Sequence, residues 1–265
     1  MKNFIFACIL TSVLACSKPV QLDLPKYEPK LTVEFYLEEG RPIKCWLQES
    51  LNYTDSRIIN PIQDAMVLLK YGNVTDTLKN VFYFDSLYSK VYNYFTPKLF
   101  KVEENLEYQL LIVDKAGREL TAKTTYKKPI KIDTIVYDFN QNNEARIGLV
   151  FSDPATEVNF YRIVAIPADT IITEDETWSF NIIDNSFNGI KFSFFTGFAF
   201  ERGREIKARL YNLDKAHYDF HQSTSNARQS NFNPFGQPAP IISNVKGGHG
   251  IFTILSYDEV KVKIE

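Results

Sequence analysis

Residues 238–252 read PAPIISNVKGGHGIF. The run Gly247-Gly248-His249-Gly250 has the glycine density of a phosphate-cradling loop. Whether it holds a ligand or shapes the backbone decides what kind of fold surrounds it. A P-loop requires G-x-x-x-x-G-K-[ST] between a strand and a helix, because a helix N-terminus and a lysine complete the anion site. Here the glycines are followed by Ile251-Phe252-Thr253-Ile254-Leu255, a β-branched and aromatic run that reads as a strand. Glycine takes positive φ cheaply, so Gly247 and Gly248 suit a tight turn between Ile242-Ser243-Asn244-Val245 and a strand beginning at Gly250.

Upstream, the same two-residue period dominates. Leu31, Val33, Phe35 and Leu37 alternate with Thr32, Glu34 and Tyr36, and Ala65, Val67 and Leu69 continue the pattern. Leu106, Tyr108, Leu110 and Ile112 lead into the turn Asp114-Lys115-Ala116-Gly117, after which Leu120 and Ala122 alternate again as a hairpin. Short strands spaced by turn residues predict an immunoglobulin-like or transthyretin-like β-sandwich over residues 31–128. A second β-rich domain is expected over residues 129–265. Its strand candidates are Ile132 to Phe139, Ile147 to Phe151, Phe160 to Ile166, Trp178 to Ile183, Ile190 to Phe195, Ile206 to Leu210, Gly250 to Tyr257 and Val260 to Ile264. One short helix is expected near residues 213–228, with Asn212 as its cap and Ala216 and Phe220 on one face. The fold class is therefore mainly β.

The N-terminus reads as an export signal. Lys2 precedes an apolar run from Phe4 to Leu14 that is too short to span a bilayer. The stretch VLAC, Val13 to Cys16, resembles a bacterial lipobox, so residues 1–15 are expected to be a signal peptide and Cys16 the site of lipid attachment. Several acyl chains, at about 0.8 kcal/mol per buried methylene, anchor far more firmly than one. Residues 16–30 then form an extended tether carrying Pro19, Pro25 and Pro29, able to reach roughly 40 Å at about 3.1 Å per residue. The tether leaves open which leaflet the body faces. With Cys8 removed and Cys16 lipidated, only Cys45 remains as a thiol. It lies in phase with Ile43 and Leu47 and reads as a small core hydrophobe.

The chemical candidates are few. With 30 basic and 32 acidic side chains, the net charge of -2 supplies no basic field for nucleic acid. His217 and His221 stand four apart on the expected helix and His249 lies in the glycine turn, so the three could in principle meet on a metal. HYDFH lacks the glutamate of a zincin, however, and a solvated or core-edge histidine pair is the preferred reading. The carboxylate runs Glu103-Glu104 and Glu174-Asp175-Glu176 sit in polar stretches and read as solvated. No G-x-S-x-G elbow occurs. No catalytic, cofactor or metal residue is assigned, and the chain is not expected to be an enzyme. Aromatic-rich stretches at 81–95 and 192–200 are divided between core filling and a recognition surface.

Taken together, the lipobox Cys16, LTVEFYL, PIQDAMVLLKYG, ENLEYQLLIVDKAGRELTA, FSDP followed by NFYRI, and the ending PAPIISNVKGGHGIF resemble a Bacteroidetes lipoprotein family defined as domain of unknown function 4249. The ending resembles that family's S-N-[IV]-x-G-G-x-G-[IV]-F pattern, and the likeness covers nearly the full mature chain. The resemblance implies an outer-membrane lipoprotein acting as accessory or ligand-capture partner of a TonB-dependent β-barrel receptor. An envelope hydrolase, a free-standing carbohydrate- or peptide-binding protein and a structural scaffold are the alternatives.

Overall fold

A computed structural model describes residues 27–52, 59–170, 179–232, 237 and 239–265. The signal peptide, Cys16 and most of the tether, together with Trp178 and the run Glu174-Asp175-Glu176, lie outside the described residues. Alternation expected from the sequence becomes alternation in space. β1 (Leu31–Glu38) and β2 (Pro42–Glu49) pair antiparallel and bury Leu31, Val33, Phe35, Ile43, Cys45 and Leu47. Cys45 is a free, buried thiol whose ionisation burial strongly disfavours. The remaining strands of this layer are β3 (Met66–Tyr71), β4 (Val74–Asp85), β5 (Lys90–Leu99), β6 (Glu107–Val113) and β7 (Glu119–Thr125). The hairpin of β6 and β7 turns at Gly117, whose φ is 79°.

The second layer set begins with β8 (Ile132–Phe139), β9 (Glu144–Ser152), β10 (Phe160–Pro167) and β11 (Ser179–Ile183). It continues through β12 (Lys191–Phe195), β13 (Phe200–Glu201) and β14 (Glu205–Leu213). After helix α1 (Lys215–Phe232) come β15 (Val245–Lys246), β16 (Gly248–Leu255) and β17 (Tyr257–Lys263). One sheet runs β11-β10-β14-β17, and in the other β9 pairs with β8, β12 and β13. Tyr161, Ile163, Leu210, Ile147, Leu149, Phe151 and Phe187 fill the core between them.

The expected domain boundary is corrected. The first domain does not end at residue 128, because β15 and β16 return to complete its sheet, in the order β15-β7-β6-β3-β4-β5-β2-β1-β16. Only β17 belongs to the second sandwich. Gly247 turns the chain between β15 and the next strand, but those two strands take different partners: β15 pairs antiparallel with β7 while β16 pairs parallel with β1. Gly247, at φ 81°, carries the chain from one edge of the nine-stranded sheet to the other. A Cβ on Gly247 would come closer than 3.0 Å to the Glu119 carbonyl oxygen. On Gly248 it would meet the Leu31 carbonyl in the same way, and on Gly250, at φ 122°, that of Val33. The glycines are there so that backbone can lie against backbone.

The Ser-Asn pair ahead of the glycines has a matching role. On the side of β16 away from β1, Asn244 accepts from the Phe252 amide at 2.9 Å and donates to the Phe252 carbonyl at 2.7 Å. Ser243 Oγ donates to the Gly250 carbonyl at 2.7 Å. Side chains thus satisfy the ladder groups that a neighbouring strand would otherwise meet.

The helix is also corrected in its start. Asn212 remains in β14, paired in register with Tyr161, and its Nδ2 donates to the Lys128 carbonyl. Asp214 is the cap, its Oδ1 accepting from the His217 amide at 2.7 Å. Its Oδ2 accepts from Thr124 on β7 and Thr253 on β16, tying the helix entry to the first sheet.

Gly250→Ala should cost about 3 kcal/mol or more, combining strain with overpacking. Asn244→Ala should cost about 1–3 kcal/mol by leaving ladder groups unmet. Urea denaturation midpoints check both, and an unchanged midpoint for Gly250→Ala would contradict the close approach.

Candidate functional site

The two β bodies meet across a polar and aromatic seam. Val164, Ile166, Tyr211 and Leu213 form a small core with Tyr88, Phe160, Tyr218, Leu255 and Tyr257. Buried Glu38 accepts from Tyr88 at 2.9 Å and from Tyr257 at 2.6 Å. Beside the seam lies a cleft of about 880 Å³, a size within the roughly 300–1,000 Å³ typical of small-molecule sites.

Its walls follow from strand periodicity. On β1, Leu31, Val33 and Phe35 turn into the core, leaving Thr32, Glu34 and Tyr36 on the opposite face. His249 stands in register with Thr32 and lines the cleft with them. From the other body, β10 presents Arg162, in register with Asn181 of β11. Helix α1 closes the wall with Phe220, His221, Thr224 and Arg228.

The structure therefore places two of the three histidines, His221 and His249, on one cleft. His217 packs directly behind, its ring centroid 4.6 Å from His221 and 5.9 Å from Tyr36. It is 1% exposed, and neither ring nitrogen has a hydrogen-bond partner. Among the described residues no three His, Cys, Asp or Glu side chains gather in a way that could hold a metal ion. Glu103 and Glu104 are exposed, and Glu104 pairs with Lys128.

Burial, opposed by Asp214 and reinforced by Arg162, lowers the His217 pKa to about 4. Burial likewise pushes His221 far below its ordinary value, helped by the charges of His217, Arg162 and Arg228. Both rings are neutral at physiological pH. Among the described lining residues the fixed cations are then Arg162 and Arg228, against one carboxylate, Glu34, which is ion-paired to Lys90. The Arg162 guanidinium makes no hydrogen bond or ion pair among the described residues. Sequence reasoning missed Arg162 and Asn181. The available signal was one arginine inside the apolar strand FYRIVAI, in phase with Val164 and Ile166.

Residues 17–261 match the family described as Domain of unknown function (DUF4249). The chain belongs to that family. No curated protein matches it. A solved chain titled "Cytokine receptor complex - Crystal form 1A" aligns over 87% of this chain and 95% of its own, at 6% identity and a TM-score of 0.27. That likeness carries no argument. The DUF4249 match spans both β bodies and the cleft between them, so the family unit includes the whole site. No helix among the described residues is long and apolar enough to cross a membrane.

A histidine held neutral takes up a proton on unfolding, so the unfolded state binds more protons below the ordinary value of about 6.5. The contribution of His217 is present above that value and is lost as pH falls towards about 4. Denaturation midpoints measured between those values should fall more steeply for wild type than for His217→Asn. Parallel curves would contradict the buried neutral ring.

Proposed function

We propose that this protein is a lipid-anchored outer-membrane protein that captures a small ligand for a TonB-dependent β-barrel receptor. The observation that carries the reading is the cleft between the two β bodies, whose polar and cationic lining includes an arginine with no side-chain partner among the described residues. Unspent hydrogen-bonding capacity in a concave junction is what a binding site needs and what a scaffold has no reason to retain. The lipobox at Cys16, the proline-bearing tether and the setting implied by resemblance to Bacteroidetes lipoproteins supply the membrane half of the proposal.

A surface for a protein partner is also present. Phe82 and Phe84 share one face of β4 and are 57% and 59% exposed. Val91, opposite Phe84 on β5, is exposed beside them. Contiguous exposed apolar side chains of this kind mark interaction surfaces. Tethering raises the effective concentration of a membrane-embedded partner, so a modest patch suffices for a durable complex.

Metabolic labelling with a fatty-acid probe should mark wild type and miss Cys16→Ala. Affinity purification from gently solubilised outer membranes should recover a TonB-dependent barrel with wild type. Recovery should fall several-fold with the Phe82→Ser, Phe84→Ser double variant. If wild type comes down alone after crosslinking in intact cells, the receptor partnership fails and a free-standing binding role replaces it.

A further inference from the structure

The cleft lining specifies a ligand chemistry, and this step rests on the capture reading above. Arg162 offers a planar guanidinium, a shape that matches carboxylate or phosphate through two parallel hydrogen bonds. It projects from the centre of a sheet rather than from a mobile loop, with neighbours Asn181 and Tyr211 fixed by backbone pairing on either side. Asn181 Oδ1 is buried and has no hydrogen-bond partner. That oxygen needs a donor, which an oxyanion cannot supply but a hydroxyl can. Thr32, Ser50, Thr224 and Ser179 add hydroxyls around the same space, while Tyr36 and Phe220 provide faces against which a ring can rest. Behind the wall, the fully buried His217 ring has unmet capacity on both nitrogens.

We propose that the cleft binds a small hydroxylated organic anion, its carboxylate or phosphate gripped by Arg162 and an adjacent hydroxyl donating to Asn181. Two features together carry this assignment: a cation without a carboxylate partner and, directly opposite it in register, an acceptor without a donor. Either alone would be an ordinary surface feature. Side by side in one concavity they define a two-point contact. A neutral polyol would leave the guanidinium unpaired, and a fully ionised inorganic anion such as sulfate would leave Asn181 unmet. Glu34, held by Lys90 on the facing wall, disfavours ligands carrying a second negative charge at that end.

Calorimetric titration of the full folded chain with glucuronate, glucose 6-phosphate, glucose and sulfate tests the proposal. One of the two hydroxylated anions should bind at least about tenfold more tightly than glucose or sulfate, the span expected for a charge-assisted hydrogen-bond pair. Which of the two wins identifies carboxylate or phosphate as the anchoring group. Arg162→Gln should lose at least about tenfold in affinity, and Asn181→Leu should narrow the preference for the hydroxylated anion over sulfate. Melting curves without ligand show whether each variant is folded, and Arg162→Lys should recover part of the binding by restoring charge. Glucose binding that is indifferent to Arg162→Gln would overturn the anion assignment and leave the capture reading standing. Absence of binding by both hydroxylated anions would overturn it as well, with receptor co-purification deciding the capture reading separately.

Discussion

Gly247, Gly248 and Gly250 lie so close to the carbonyl oxygens of Glu119, Leu31 and Val33, respectively, that no side chain larger than hydrogen fits at those three positions. This contact joins the two edges of the nine-stranded sheet, because β15 and β16 are consecutive in the chain and sit at opposite ends of the strand order. Closure removes two open edges that would otherwise template pairing with other chains. It also sets where the second sandwich goes. β16 runs parallel to β1 and passes at once into β17, which pairs with β14 of the other body. The junction between the bodies is therefore anchored by the same segment that closes the sheet, and the cleft takes its position from it.

Asp214 extends that dependence to the helix. It caps α1 and accepts from Thr124 and Thr253, one on each strand flanking the closure. A buried ionic group on β2 and β4 lies beside the seam residue Tyr88. Burial alone would raise the Asp85 carboxyl, but the hydrogen bond and charge of Lys44, with Arg41 beyond, hold it below its ordinary value. Removing one member of so buried a pair strands the other charge, which makes the arrangement rigid rather than adaptable. The cleft walls rest on strands paired on both sides, β1 between β2 and β16 and β10 between β11 and β14.

Much of the fold was legible from residue alternation. The strands from Ile132 to Phe139, from Phe160 and through the β6–β7 hairpin follow directly from apolar residues at every second position. The pairing partners of the last strands were not legible. Leu31 meets Gly248 only through a parallel contact between the two ends of the described chain, and nothing local encodes it. The helix start failed for a related reason. Asn212 and Asp214 are both good caps, and the choice between them fell to the register of β14. At the site, the histidine spacing was visible and two of the three do share the cleft, while the arginine and asparagine that define its chemistry stood unmarked in ordinary strands.

Because one segment closes the sheet, anchors the junction and positions the cleft, β1, β16, β10 and β14 should open as one unit. Native-state hydrogen exchange measures this directly. The account predicts that the slowest amides of residues 31–38 and 248–255 exchange only through global unfolding, with the same opening free energy as those of β10 and β14. Exchange of residues 248–255 through a local opening several kcal/mol below the global value, with β10 and β14 still protected, would contradict it.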